Sequence, residues 1–197
     1  MVDMPLSGTE KYMVRIPPVT RESVREDLRE TFDEVSSGPG GAGTGPMSVL
    51  KHSPELAKRA IPLFSYVRNE STVPPKAREL AMLTTARAMD CPYIWHVHVS
   101  LGRTAGLSDE LLIALRDKQP LPEMSPDESA VLNLGMEFFL TRRVSQDTFQ
   151  AALDQFGQQG FVELTTLMGY YAMLAFNANA VDLGVPHNLN GEEPLPV

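Results

Sequence analysis

Four side chains in one stretch of sequence have the types and spacing for proton-transfer chemistry: Glu79, Cys91, Trp95 and His98. Glu79 falls in a segment rich in alanine and leucine, and Met82, Leu83 and Ala86, three, four and seven residues on, share its helical face. A carboxylate on so apolar a face is costly without a partner, so it is either a satisfied structural acid or a working one. Arg78 or Arg87 of a neighbouring chain are available partners for the structural role. Cys91 stands just ahead of Pro92, where a helix begins and its unpaired N–H groups favour an anion. Trp95 and His98 follow at four and seven residues, about 40° and 20° off the direction of Cys91. One face thus carries a thiol, an indole and an imidazole. With an unperturbed pKa of about 6.5, the imidazole can hold or deliver a proton near neutrality.

The elements that must position these groups read as helices throughout. Residues 1–19 are polar and broken by prolines, which predicts an extended N-terminal arm. Val24, Leu28, Phe32 and Val35 then mark an amphipathic helix from Thr20 to about Ser36. The glycine-rich stretch 37–46 lacks both a preceding strand and a Gly-Lys-Ser/Thr ending, so it is expected to be a loop and not a phosphate cradle. Ser53 caps a helix running to about Arg68, and Ser71–Pro75 opens another from Lys76 to about Met89. Asp90, Cys91 and Pro92 break that helix and start the next, which reaches Gly106. Further helices are expected from Ser108 to Leu115, from Ser125 to Leu140, from Ser145 to Phe156 and from Phe161 to about Leu183. The body, 20–185, is therefore one all-α domain of seven to eight helices, followed by an extended tail, 186–197.

Composition removes several classes of function. Net charge is −8, from 17 basic and 25 acidic residues, and no basic stripe with aromatics offers itself to nucleic acid or to anionic lipid. Apolar runs such as Tyr170–Phe176 are far shorter than the ~20 residues that span a bilayer. Asp3, Pro5 and Glu10 interrupt any signal-peptide core, and the chain has a single cysteine, so a cytoplasmic location is expected. No Gly-x-Gly-x-x-Gly and no alternating β-branched run supports a dinucleotide fold. Of the four histidines, at 52, 96, 98 and 187, His96 and His98 share a face only on a strand. On a helix they diverge by about 200°, so no metal site is expected, nor any cofactor.

The spacing Glu79 to Cys91 to His98, with Tyr93 and Trp95 between, resembles the core motif of the carboxymuconolactone decarboxylase and alkylhydroperoxidase D-like family. Similarity to longer members extends to Arg15-Ile16-Pro17-Pro18, to His52-Ser53-Pro54-Glu55-Leu56, and to the Ser71–Pro75 run before Arg78-Glu79-Leu80. It includes Ala105-Gly106-Leu107-Ser108, Tyr170-Tyr171, Asn177 and Gly184-Val185-Pro186. The resemblance implies an all-helical fold assembled as dimers, trimers or hexamers, with pockets near subunit contacts. It implies Glu79, His98 and Cys91 as catalytic residues and Trp95, Tyr93 and Tyr171 as substrate-binding ones.

One departure bears on the branch. Hydroperoxidase members carry two cysteines three residues apart, one attacking peroxide and the other resolving it. Here Cys91 occupies the first position and Ile94 the second, so an internal disulfide cycle is impossible. The expectation is a cofactor-independent lyase of the decarboxylase-like branch, acting on a small carboxylated lactone or related unsaturated acid. Alternatives are a single-cysteine thiol peroxidase, an isomerase or cyclase using the same groups, and a non-catalytic oligomeric binding protein.

Overall fold

Eight helices and no strands make up the described residues, 15–38, 45–185 and 193–197, of this structure, a computed structural model. They are α1 (Arg29–Ser37), α2 (Pro46–Leu50), α3 (Pro54–Ser65), α4 (Pro75–Ala88), α5 (Pro92–Thr104), α6 (Asp109–Arg116), α7 (Pro126–Thr141) and α8 (Gln146–Ala180). Proline occupies the first turn of α2, α3, α4, α5 and α7, where its missing N–H costs no hydrogen bond. Ser108 Oγ accepts from the Leu111 N–H to start α6. Ser125 and Glu128 form a capping box at α7, with the Ser125 N–H 2.9 Å from Glu128 Oε2. None of the helices described is long and apolar enough to cross a membrane.

α4 lies at the centre, packed against α5, α7 and α8. Leu80 to Arg87 are buried without a break, so this helix has no polar face and belongs to the core on all sides. Close approach of α7 depends on Gly135. A Cβ there would come within 2.8 Å of Thr84 Cγ2 and 3.2 Å of Met168 Cε. Glu163 of α8 ties the layers together: Oε1 accepts from the Tyr66 hydroxyl at 2.6 Å and from Gln159 Nε2 at 3.0 Å. Its Oε2 accepts from the Thr72 N–H at 2.7 Å and the Thr72 hydroxyl at 2.6 Å.

Two features differ from the sequence expectation. Thr20 to Ser23 close a turn, with the Thr20 N–H donating to Ser23 Oγ at 3.0 Å. Among the described residues helical structure therefore starts at a 3₁₀ turn, Glu26–Leu28. This is a local hydroxyl-to-backbone bond competing with the helix ladder. α2 was not expected; it is short, and it packs on α8, where Tyr170 Oη lies 3.7 Å from Met47 Sδ. The two helices expected after Ser145 are present, and the break between them falls at Gly157, whose φ 65°, ψ 179° is a conformation essentially reserved for glycine. No atom lies within 4 Å of a Cβ added at Gly157, so Gly157→Ala carries only backbone strain. A loss of about 1–3 kcal/mol in urea unfolding is expected.

Of the expected arm, residues 1–14 lie outside the described residues, and Arg15 holds to the end of α8 through its N–H on Val181 O at 2.8 Å. Residues 39–44 of the glycine-rich loop and 186–192 of the tail also lie outside them. The last five residues dock on the body, where Leu195 is buried and Arg87 Nη1 donates to Pro196 O at 3.2 Å.

Candidate active site

Glu79 enters from the second turn of α4 and His98 from the middle of α5, two helices joined by a tight connection through Met89, Asp90 and Cys91. Asp90 adopts φ 45° in that connection. His98 Nδ1 lies 2.7 Å from Glu79 Oε2, and the two side chains are 4% and 15% exposed. The carboxylate accepts the Nδ1–H, which fixes the tautomer and leaves the Nε2 lone pair for chemistry. Burial pushes the His98 pKa below its ordinary value; the hydrogen bond and charge of Glu79 oppose this, and Arg68 adds to the lowering. The imidazole is therefore neutral at neutral pH.

Tyr171 of α8 meets the His98 ring edge to face, with centroids 5.2 Å apart and an interplanar angle of 77°. It is 2% exposed, and burial raises its pKa, so it stays a phenol. Arg68 Nη1 donates to Tyr171 Oη at 3.4 Å, and the guanidinium carbon stands 5.6 Å from the Phe64 ring centroid. Arg68 sits on a π-helical turn, Tyr66–Glu70, that extends α3 and closes with the Ser71 N–H on Tyr66 O at 3.0 Å. Sequence reading missed Arg68 as a site residue. The available signal was its position three residues before the Ser71–Pro75 motif, which by itself distinguishes it from no other helix-end arginine.

The other expected site residues occupy different surroundings. Trp95 is buried about 60° from His98 around α5. It lines a cleft toward α6 and the C-terminal segment with Val99, Leu112, Ile113, Arg116 and Glu193. Its Nε1 finds no acceptor among the described residues. Tyr93 packs on Gly45, where an added Cβ would come within 3.1 Å of the Tyr93 ring and hydroxyl.

Cys91 caps α5 and is fully buried. The sequence placed its thiol where backbone N–H groups favour an anion, and those of Ile94 and Tyr93 do favour it, but burial outweighs them and raises the pKa. The group is a thiol at pH 7. Native protein is expected to react with an aromatic disulfide reagent at pH 7 on the order of tenfold or more slowly than the urea-unfolded chain, since thiolate is the reacting form. Equal rates would show an activated thiolate. α5 is helical across both His96 and His98, so the two rings leave it in different directions. Among the described residues no three His, Cys, Asp or Glu side chains gather as a metal site.

Residues 54–134, α3 to the middle of α7, match the family model described as the carboxymuconolactone decarboxylase family. Three solved structures share the fold. The first is a protein of unknown function from Agrobacterium tumefaciens, provisionally assigned as the antioxidant defence protein AhpD, with TM-score 0.62 and 21% identity over 70% of this chain and 94% of that one. The second, from Ralstonia eutropha JMP134, is described as an alkylhydroperoxidase AhpD core and an uncharacterized peroxidase-related protein, with TM-score 0.68 and 13% identity over 89% and 93%. The third, an uncharacterized peroxidase-related protein from Silicibacter sp. TM1040, has TM-score 0.65 and 13% identity over 95% and 98%. At these identities they establish the fold. No curated protein matches the sequence significantly. The family match covers the helices that carry Glu79 and His98, and the solved structures share the fold in which those helices are set.

Proposed function

We propose that the protein is a cofactor-independent lyase that removes CO₂ from a small carboxylated lactone or related unsaturated acid, with His98 and Glu79 handling the proton. The observation that carries this reading is the buried contact of 2.7 Å between His98 Nδ1 and Glu79 Oε2. When a carboxylate leaves as CO₂, its bonding electrons pass into the conjugated carbonyl, and one proton must be delivered where they come to rest. His98 Nε2 takes that proton from solvent and hands it to carbon, while Glu79 stabilises the transient imidazolium. Little water competes at so buried an imidazole.

A second reading is favoured by one specific observation. Because His98 starts neutral, it is ready to remove a proton from carbon and return it elsewhere, which is isomerase chemistry. The two readings part on pH. Imidazolium-carried decarboxylation gains rate as pH falls toward the lowered pKa of His98, whereas base-initiated isomerisation loses rate there.

A single-cysteine peroxidase has support in the descriptions of the structural relatives, and against it stand the burial and raised pKa of Cys91. The deciding experiment offers the wild type and the Cys91→Ala and His98→Ala variants a carboxylated unsaturated lactone, and separately an alkyl hydroperoxide with an external thiol. CO₂ release that survives in Cys91→Ala and fails in His98→Ala supports the lyase. Peroxide consumption that needs Cys91, with no CO₂ release in the wild type, refutes it.

A further inference from the structure

We infer that Arg68 and the Tyr171 hydroxyl together form the anchor for a substrate carboxylate beside His98. This inference names the substrate contact for the lyase site proposed above and rests on that reading for its catalytic meaning.

The argument begins with unused donors. A guanidinium offers five N–H groups in a planar fork that matches a carboxylate. Among the described residues Arg68 finds one acceptor, Tyr171 Oη, at the long distance of 3.4 Å. No carboxylate pairs with it there. Glu70, two residues on, accepts from Ser65 Oγ, and Glu79 is engaged by His98. Some arginines elsewhere find acids, as Arg59 meets Glu55, Arg87 meets Asp90 and Arg116 meets Asp117, whereas others, such as Arg29 on Val24 O, rest on backbone carbonyls. In a chain with 25 acidic residues to 17 basic ones, a half-buried guanidinium left without a carboxylate at the edge of the candidate site is a place for an anion from outside.

Tyr171 adds an independent observation. Its oxygen accepts from Arg68, but its own O–H finds no acceptor among the described residues, although the side chain is 2% exposed. A buried hydroxyl proton without an acceptor is costly, and a ligand oxygen held by Arg68 would supply one. The backbone is built to bring these groups together. Arg68 lies on the π-helical turn after α3, a distortion frequent at functional sites, whose neighbour Val67 is 1% exposed in the core. The Phe64 ring supports the guanidinium from beneath. The same Tyr171 ring packs edge to face on His98, so an oxygen at its hydroxyl is held on the flank of the base.

The test reads binding at His98 itself, so it does not depend on turnover. Histidine-labelled wild-type protein is titrated with fumarate, a planar unsaturated dicarboxylate, while the His98 imidazole resonances are followed by NMR. A saturable shift is expected. Arg68→Met should weaken fumarate by about 10–100-fold, Arg68→Lys should recover part of the loss by keeping the charge without the fork, and Tyr171→Phe should weaken it by about tenfold. Fumaramide, which has the same shape without charge, should bind wild type no better than Arg68→Met binds fumarate. With no ligand present, Arg68→Met should also raise the His98 pKa, a change that loss of mere packing support would not give. Wild type without a saturable shift, or Arg68→Met binding fumarate as tightly as wild type, overturns the anchor. If Arg68→Met does not fold, Arg68→Lys decides: affinity for fumarate equal to wild type overturns it, and a several-fold loss supports it. Absence of CO₂ release by the wild type would sink the lyase reading while leaving fumarate binding at Arg68 intact, so the two failures are distinguishable.

Discussion

Replacing His98 by alanine is expected to lower turnover by about 10²–10⁴-fold, the usual worth of a well-placed general acid or base. The loss should fall on kcat more than on KM, because the imidazole is needed when the proton moves and not when the acid binds. Glu79→Gln should retain more activity than His98→Ala, since a glutamine oxygen can still accept Nδ1–H and hold the tautomer. It forfeits the charge that stabilises the imidazolium. Because Glu79 raises the His98 pKa, its neutralisation should drive that pKa lower still. The acid-side rate gain of the lyase should then shift to lower pH by the same amount. A His98→Ala protein with full turnover would remove the imidazole from the mechanism.

The second large effect concerns stability and is expected at Glu163. Burial would raise the pKa of this carboxylate, but hydrogen bonds from Thr72, Tyr66 and Gln159 outweigh it and hold the value at about 2. The depressed folded value means that the ionised group stabilises the fold above the unfolded pKa near 4.5, and that this stability is lost as pH falls from 4.5 toward 2. A shift of that size corresponds to about 3 kcal/mol. Glu163→Ala leaves the Thr72 N–H and two hydroxyls without their acceptor, so a loss of roughly 2–5 kcal/mol at pH 7 is expected, and a fall in Tm of about 10 °C. Urea unfolding at pH 7 and pH 3 should show the wild type weakening between the two and the variant weakening by about 2 kcal/mol less, since the remainder is lost only below pH 3. Parallel losses in both proteins would show that the carboxylate is not what ties Thr72 and Tyr66 to α8.

What could be read from the sequence was whatever depends on short spacing. Proline and serine starts fixed α3 to α7 closely, since each is a local event, and the Glu79 to His98 spacing placed a carboxylate and an imidazole on successive helices. Burial was much harder to foresee. The helix start at Cys91 was visible, but not the core that closes over it, and desolvation there reverses the electrostatic expectation. Trp95 was expected on one face with Cys91 and His98, yet the roughly 60° between Trp95 and His98 is enough to turn the indole toward α6. Arg68 and Tyr171 are 103 positions apart, and only the packing of α8 over the π-helical turn brings them together. The Thr20 to Ser23 turn was missed for the opposite reason, because one hydroxyl overrode a continuous apolar pattern.

The most direct test of the account is a ¹⁵N NMR titration of the His98 ring. A neutral imidazole carrying its proton on Nδ1 at pH 7, titrating below 6.5 in the wild type and lower still in Glu79→Gln, is the result this account predicts. A ring with its proton on Nε2, or one that titrates above 7 and ignores the loss of the Glu79 charge, would contradict it.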